Sequence, residues 1–78
     1  MSNEVENALV SSKKAVHFDQ LGNYQAASYY YREAAKYLEN AVLNNLGSAV
    51  DVEQWKNTSL KYTDRANALD SLGKVILH

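Results

Sequence analysis

The chain has 78 residues, 8 Lys and Arg against 9 Asp and Glu, a formal net charge of −1, and neither cysteine nor proline. Such a length holds one domain with one modest core, and a chain of this size buries only about 60% of its unfolded surface. The absence of cysteine excludes a disulfide framework and a thiolate metal site and fits a reducing compartment, while the near-neutral charge gives no case for nucleic acid or a membrane surface.

Its apolar runs are short, so no segment is expected to span a bilayer, and the first residues lack the basic and apolar regions of a signal peptide. The expected setting is the cytoplasm. Two histidines, His17 and His78, are too few and too far apart to suggest a metal site, and no cofactor is expected.

The pattern predicts three helices, at about residues 3–21, 24–46 and 49–76. Asn3 with Glu6 resembles a capping box opening the first, whose apolar stripe is Val5, Ala8, Leu9, Ala15 and Val16, with Ser12 at its midpoint. Gly22 and Asn23 then break the periodicity, glycine to end one helix in the left-handed conformation and asparagine to cap the next. The second helix carries Tyr24, Ala27, Tyr31, Ala34, Leu38, Ala41 and Val42 at spacings of three and four, and Gly47 is expected to end it. Ser48 with Asp51 forms a second capping-box pattern. The third helix presents Val52, Trp55, Ser59, Tyr62, Ala66, Leu69 and Ile76, with Gly73 weakening its final turn. Short connections make neighbouring helices antiparallel, so the expected fold is an all-α, antiparallel three-helix bundle forming a single domain over residues 1–78.

Catalysis is not expected. His17, Ser11, Ser12 and Asp19 share one helix and cannot supply the nucleophile, base and orienting geometry of a hydrolase, and there is no glycine-rich phosphate loop. The run Tyr29-Tyr30-Tyr31 is more informative. Three successive helical side chains sweep about 200° of surface, so only Tyr31 is in phase with the core. Tyr30 and Tyr37, one heptad apart, share a flank that either covers the edge of a thin core or lines a groove beside the third helix. Phe18, also out of phase with the core, is read as a contact residue or, in preference, a single exposed aromatic, and Asp64 with Arg65 as a solvated or bundle-edge pair on the outer side of the third helix.

Gly22-Asn23-Tyr24 with Ala27, Tyr31 and Ala34 resembles the second half of a tetratricopeptide repeat, but no second copy follows. A longer set, Ala15-Val16, Asp19, Gly22-Asn23-Tyr24, Ala27, Tyr31, Ala34, Tyr62, Asp64-Arg65-Ala66 and Leu69, resembles the MIT domain, the microtubule-interacting and trafficking module. That resemblance implies a three-helix bundle binding short C-terminal motifs of ESCRT-III subunits. It implies the N-terminal module of a larger trafficking protein, such as an ESCRT-disassembling AAA ATPase or a calpain-like protease, recruited to endosomal membranes through its partners. By the same resemblance, a helical motif would lie between helices two and three, against Tyr30, Glu33, Tyr37 and Asn40 on one side and Ser59, Leu60, Thr63 and Asn67 on the other. An extended motif would use the groove between helices one and three, near Leu9, Ser12 and Tyr62. Thr63 and Ser12 replace residues that are commonly apolar in the family, each removing contact worth roughly 1 to 2 kcal/mol. The isolated domain is expected to be monomeric; a structural or oligomerising bundle is the alternative.

Overall fold

The computed structural model describes residues 3–76, with side chains as far as Gly73. Three helices follow one another, α1 (Glu4–Gln20), α2 (Tyr24–Leu43) and α3 (Ala49–Ile76), and form the expected all-α bundle. Its longest dimension is 45 Å, close to the roughly 42 Å that 28 residues of α3 span at 1.5 Å each.

Local chemistry sets most of the boundaries. The Asn3 side chain accepts hydrogen bonds from the backbone N–H groups of Val5 and Glu6, satisfying two of the donors left open at the start of α1. Gly22, at φ +78°, ends that helix, and Asn23 accepts from Ala26 N–H to begin α2. Ser48 and Asp51 form a reciprocal box: the Asp51 N–H donates to Ser48 Oγ, and the Ser48 N–H donates to Asp51 Oδ2.

The second helix ends earlier than its pattern predicts. It stops at Leu43, and Asn45, not Gly47, takes the left-handed conformation at φ 52°. Asparagine tolerates that region. Gly47 serves a different need: a Cβ there would lie 2.5 Å from Trp55 Cη2 and 2.8 Å from Asp51 Cβ. The glycine lets the loop close over the indole. At the other end, α3 continues through Gly73; the Ile76 side chain expected on its core face lies outside the described side chains.

Contacts give the topology. The end of α1 meets the start of α2 through Tyr31 and Asp19, while Val5 and Ala8 lie beside Leu38, so α1 and α2 are antiparallel. Ser28 and Arg32 reach Asp70, and Glu39 and Val42 lie beside Lys56 and Ser59, so α2 and α3 are antiparallel too. Consequently α1 and α3 run parallel, both lying on α2. The centre is thin. Ala15, Ala27, Ala34, Ala41 and Ala66 are fully buried, and Leu69 is the largest side chain with no exposure. Alanine at the contacts lets helix axes approach closely, and aromatic rings of Phe18, Tyr24, Tyr30 and Tyr62 close the edges.

Two expectations about α1 change. Its buried face is Ala8, Ser11, Ser12 and Ala15, whereas Leu9 and Val16 are 54% and 44% exposed. Phe18 is not a lone surface aromatic: it is half-buried and stacks on Tyr30 with centroids 5.6 Å apart. A stripe of small residues can face the core while larger neighbours stand on its shoulder, which apolar counting alone does not distinguish.

Candidate functional site

Because α1 and α3 each pack on α2, a seam remains between them. Among the described residues no Cα of α1 comes within 8 Å of one of α3. The seam holds an open hollow of about 300 Å³. Its α1 wall is Val5, Ala8, Leu9 and Ser12; its α3 wall is Gln54, Trp55, Thr58 and Tyr62; Leu38 of α2 forms the floor. Trp55 and Tyr62 are half-buried and present ring surface to the hollow, while the exposed Leu9 stands at its lip. Ser12 does not place an open polar group there, since its hydroxyl donates to Leu9 C=O at 2.9 Å. Leu9, Ser12 and Tyr62, expected around one groove, are thus brought together.

A polar clasp closes the far end of this seam. Arg65 Nε and one terminal nitrogen donate to the two oxygens of Asp19 at 2.9 and 2.8 Å. The Tyr31 hydroxyl donates to Asp19 Oδ2 at 3.0 Å. The Arg65 guanidinium, and secondarily the Tyr31 hydroxyl, hold the Asp19 carboxyl below its ordinary range against the opposing effect of burial. Burial first, and then the Asp19 carboxylate, push Tyr31 up, and Asp19 keeps Arg65 firmly protonated. Arg65 is therefore an α1–α3 tie, not half of a solvated pair with Asp64. Nothing in the local charge pattern distinguishes the two; what decides is that Arg65 and Asp19 lie at the same level of parallel helices.

The α2/α3 seam has a different character. Near the start of α2, Arg32 donates to Asn67 Oδ1 at 2.9 Å and pairs with Asp70, and the buried Ser28 hydroxyl donates to Asp70 Oδ1 at 2.6 Å. Towards the other end lies a hollow of about 290 Å³ lined by Glu39, Val42, Leu43, Lys56 and Ser59. On α3, Ser59 is buried at its base, Leu60 is 62% exposed, Thr63 is half-buried, and Asn67 is engaged by Arg32.

The α2 residues expected across this seam are elsewhere. Tyr30 stacks on Phe18 of α1 and lies 5.5 Å below Lys14 Nζ, which places it on the α1 flank. Glu33, Tyr37 and Asn40 follow at three, seven and ten residues, so each points within about 80° of the Tyr30 direction, away from α3. The α2 wall facing α3 is Arg32, Glu39, Val42 and Leu43. The physical reason is bundle handedness. The core stripe of α2 says which way is in, but not which flank meets α1 and which meets α3.

Among the described residues no group of three or more His, Cys, Asp or Glu could hold a metal ion, and no helix is long and apolar enough to cross a membrane. Comparison with curated proteins and with solved structures gives no match. The family model described as the MIT (microtubule interacting and transport) domain matches residues 5–71.

Proposed function

Because the chain belongs to the MIT family, a family of protein-interaction modules, we propose that it binds short C-terminal motifs of ESCRT-III subunits in the groove between α1 and α3. In this reading it recruits a larger parent protein to endosomal or other membrane-remodelling sites, and any catalysis belongs to that parent.

The observation that carries the choice of groove is the hollow with Trp55 and Tyr62 in one wall and Leu38 at its floor. Two aromatic faces beside an exposed Leu9 offer contact area with little side-chain entropy to lose. An extended or helical segment laid between two parallel helices there would cover apolar surface that the fold leaves open. The contact would fall under about 1,200 Å², which favours micromolar or weaker binding. That strength suits recruitment to a polymeric target, where avidity adds what one site lacks.

The α2/α3 seam supports a second, smaller seat. Leu43, 80% exposed, lines its hollow, and Leu60, 62% exposed, stands on α3 one turn beyond Lys56 of that lining, which offers two apolar side chains to a partner helix. Thr63 weakens that surface, and the Arg32–Asp70 bridge spans its other half.

Titration of isotope-labelled protein with C-terminal peptides from a panel of ESCRT-III subunits tests these readings. Saturable amide shifts centred on Leu9, Ser12, Trp55 and Tyr62 are expected. Shifts centred on Lys56, Leu60 and Thr63 would move the site to the second seam. No shift at millimolar peptide, together with a size that grows with protein concentration, would replace peptide binding with the oligomerising alternative.

A further inference from the structure

Resting on the α1/α3 groove reading, we propose that Asp19, Arg65 and Tyr31 are positioning residues for that groove. Without touching the bound segment, they fix the Tyr62 ring and the separation of the α1 and α3 walls before a partner arrives. A chain of contacts runs from the clasp to the hollow. Both Asp19 oxygens accept from Arg65, at 2.8 and 2.9 Å, and one also accepts from the Tyr31 hydroxyl at 3.0 Å. The Tyr31 ring lies beside that of Tyr62, with centroids 5.8 Å apart and an interplanar angle of 35°. Tyr62 in turn lines the hollow. Tyr31 itself is only 7% exposed and packs in the core with Ala15, Ala27, Ala66 and Leu69, so it can act on a ligand only through its neighbours.

The register places this clasp where it can set the groove. Ser12 lies two helical turns before Asp19, and Thr58 the same distance before Arg65, so the two hollow-lining residues are level across parallel helices. The clasp is about 10 Å along the axis from them. At the hollow the walls are not braced against each other: no Cα of α1 comes within 8 Å of one of α3 among the described residues, and the Ser12 hydroxyl is turned to its own helix. The clasp is firmer than a surface ion pair, since the Asp19 side chain is 14% exposed and is held by two parallel bonds from one guanidinium. Walls fixed at one end leave a partner less motion to arrest on binding, which is how preorganisation adds affinity. Without the clasp, α1 can swing against α3 and Tyr62 can turn, so each folded molecule presents a looser groove.

The test takes the ESCRT-III C-terminal peptide that shifts Leu9, Trp55 and Tyr62 most in the wild type. It is titrated against Tyr31→Phe, Arg65→Gln, Asp19→Asn and the double variant Asp19→Asn, Arg65→Gln, with Kd read from those amides in the folded molecules. Arg65→Gln should weaken binding about fivefold and Tyr31→Phe about threefold. Tyr31→Phe removes one hydroxyl and leaves the ring in the core, so it keeps the test open where a charge variant fails to fold. The double variant should bind no more weakly than Asp19→Asn alone, because Arg65 acts through that carboxylate. A role in stability alone would lower Tm and leave these Kd values unchanged. Binding to Tyr31→Phe as tight as wild type or tighter overturns the inference. So do additive losses at Asp19 and Arg65, which would make Arg65 a direct contact of the peptide; either result leaves the groove standing. Absence of shifts at Leu9, Trp55 and Tyr62 with every peptide of the panel overturns the groove and this inference together.

Discussion

At the scale of single residues, two glycines and one carboxylate carry the sharpest consequences. Gly22 sits in the left-handed region with nothing within 4 Å of an added Cβ, so Gly22→Ala should cost only the backbone preference, about 1 kcal/mol. Gly47 has the opposite problem: space is lacking, because Trp55 and Asp51 occupy the position of a Cβ. Gly47→Ala should cost about 1 to 3 kcal/mol by forcing the indole or the loop to shift. Urea unfolding gives both numbers, and Trp55 emission separates the causes, since it should change in folded Gly47→Ala and stay constant in Gly22→Ala. Asp19 adds a pH dependence. Its carboxyl is held below the ordinary aspartate value of about 3.9, chiefly by Arg65. The resulting stability is complete above that ordinary value and is lost as pH falls through the lower folded-state value. Asp19→Asn should lower stability near neutral pH by about 1 to 2 kcal/mol and flatten the acid limb of the stability profile. An acid limb as steep as that of the wild type would show that Asp19 does not supply it.

At the scale of elements, the aromatic flank of α2 ties it to α1. Phe18 and Tyr30 stack at 5.6 Å with an interplanar angle of 5°, Tyr29 meets Tyr30 edge-on, and Lys14 lies over the Tyr30 ring. Phe18→Ala should cost about 2 kcal/mol, less than a fully buried phenylalanine because the ring is half-exposed. A double-mutant cycle with Tyr30→Ala should return a coupling of about 1 kcal/mol, and a coupling near zero would mean the stack contributes nothing beyond area. The same pair shows what the sequence permits one to read. Asn3, Asn23 and the Ser48–Asp51 box act through atoms within three residues, so the helix starts and the three-element bundle are legible locally. Tyr30 was equally visible as an out-of-phase aromatic, but its neighbour depends on which side of α2 receives α1. That is a property of three helices together, and no spacing within α2 encodes it. Leu9, Ser12 and Tyr62 were recoverable as a set only through the family resemblance, because they come from two helices separated by the whole of α2.

For the whole molecule, thin packing and open seams have one origin. Two parallel helices resting on a third, with alanines at the contacts, bury little volume per residue and leave α1 and α3 apart. A 78-residue domain built this way has a small stability margin, and a ligand that fills a seam should add to it visibly. At a free concentration of about 100 times its Kd, a partner that binds only the folded state contributes about 2.7 kcal/mol. For a domain of this size each kcal/mol raises Tm by about 4 to 8 °C, so a saturating motif peptide should raise it by about 10 to 20 °C. Thermal unfolding followed by circular dichroism, with peptide titrated from sub-Kd to saturating concentration, measures this shift. The dependence on concentration matters more than the size of the shift. If the peptide occupies the α1/α3 groove, Tyr62→Ala should move the whole curve to higher peptide concentration in addition to lowering the Tm without peptide. A groove residue that merely supports the fold would lower the starting Tm and leave the concentration dependence where it was, because the peptide would still find its full set of contacts in every folded molecule.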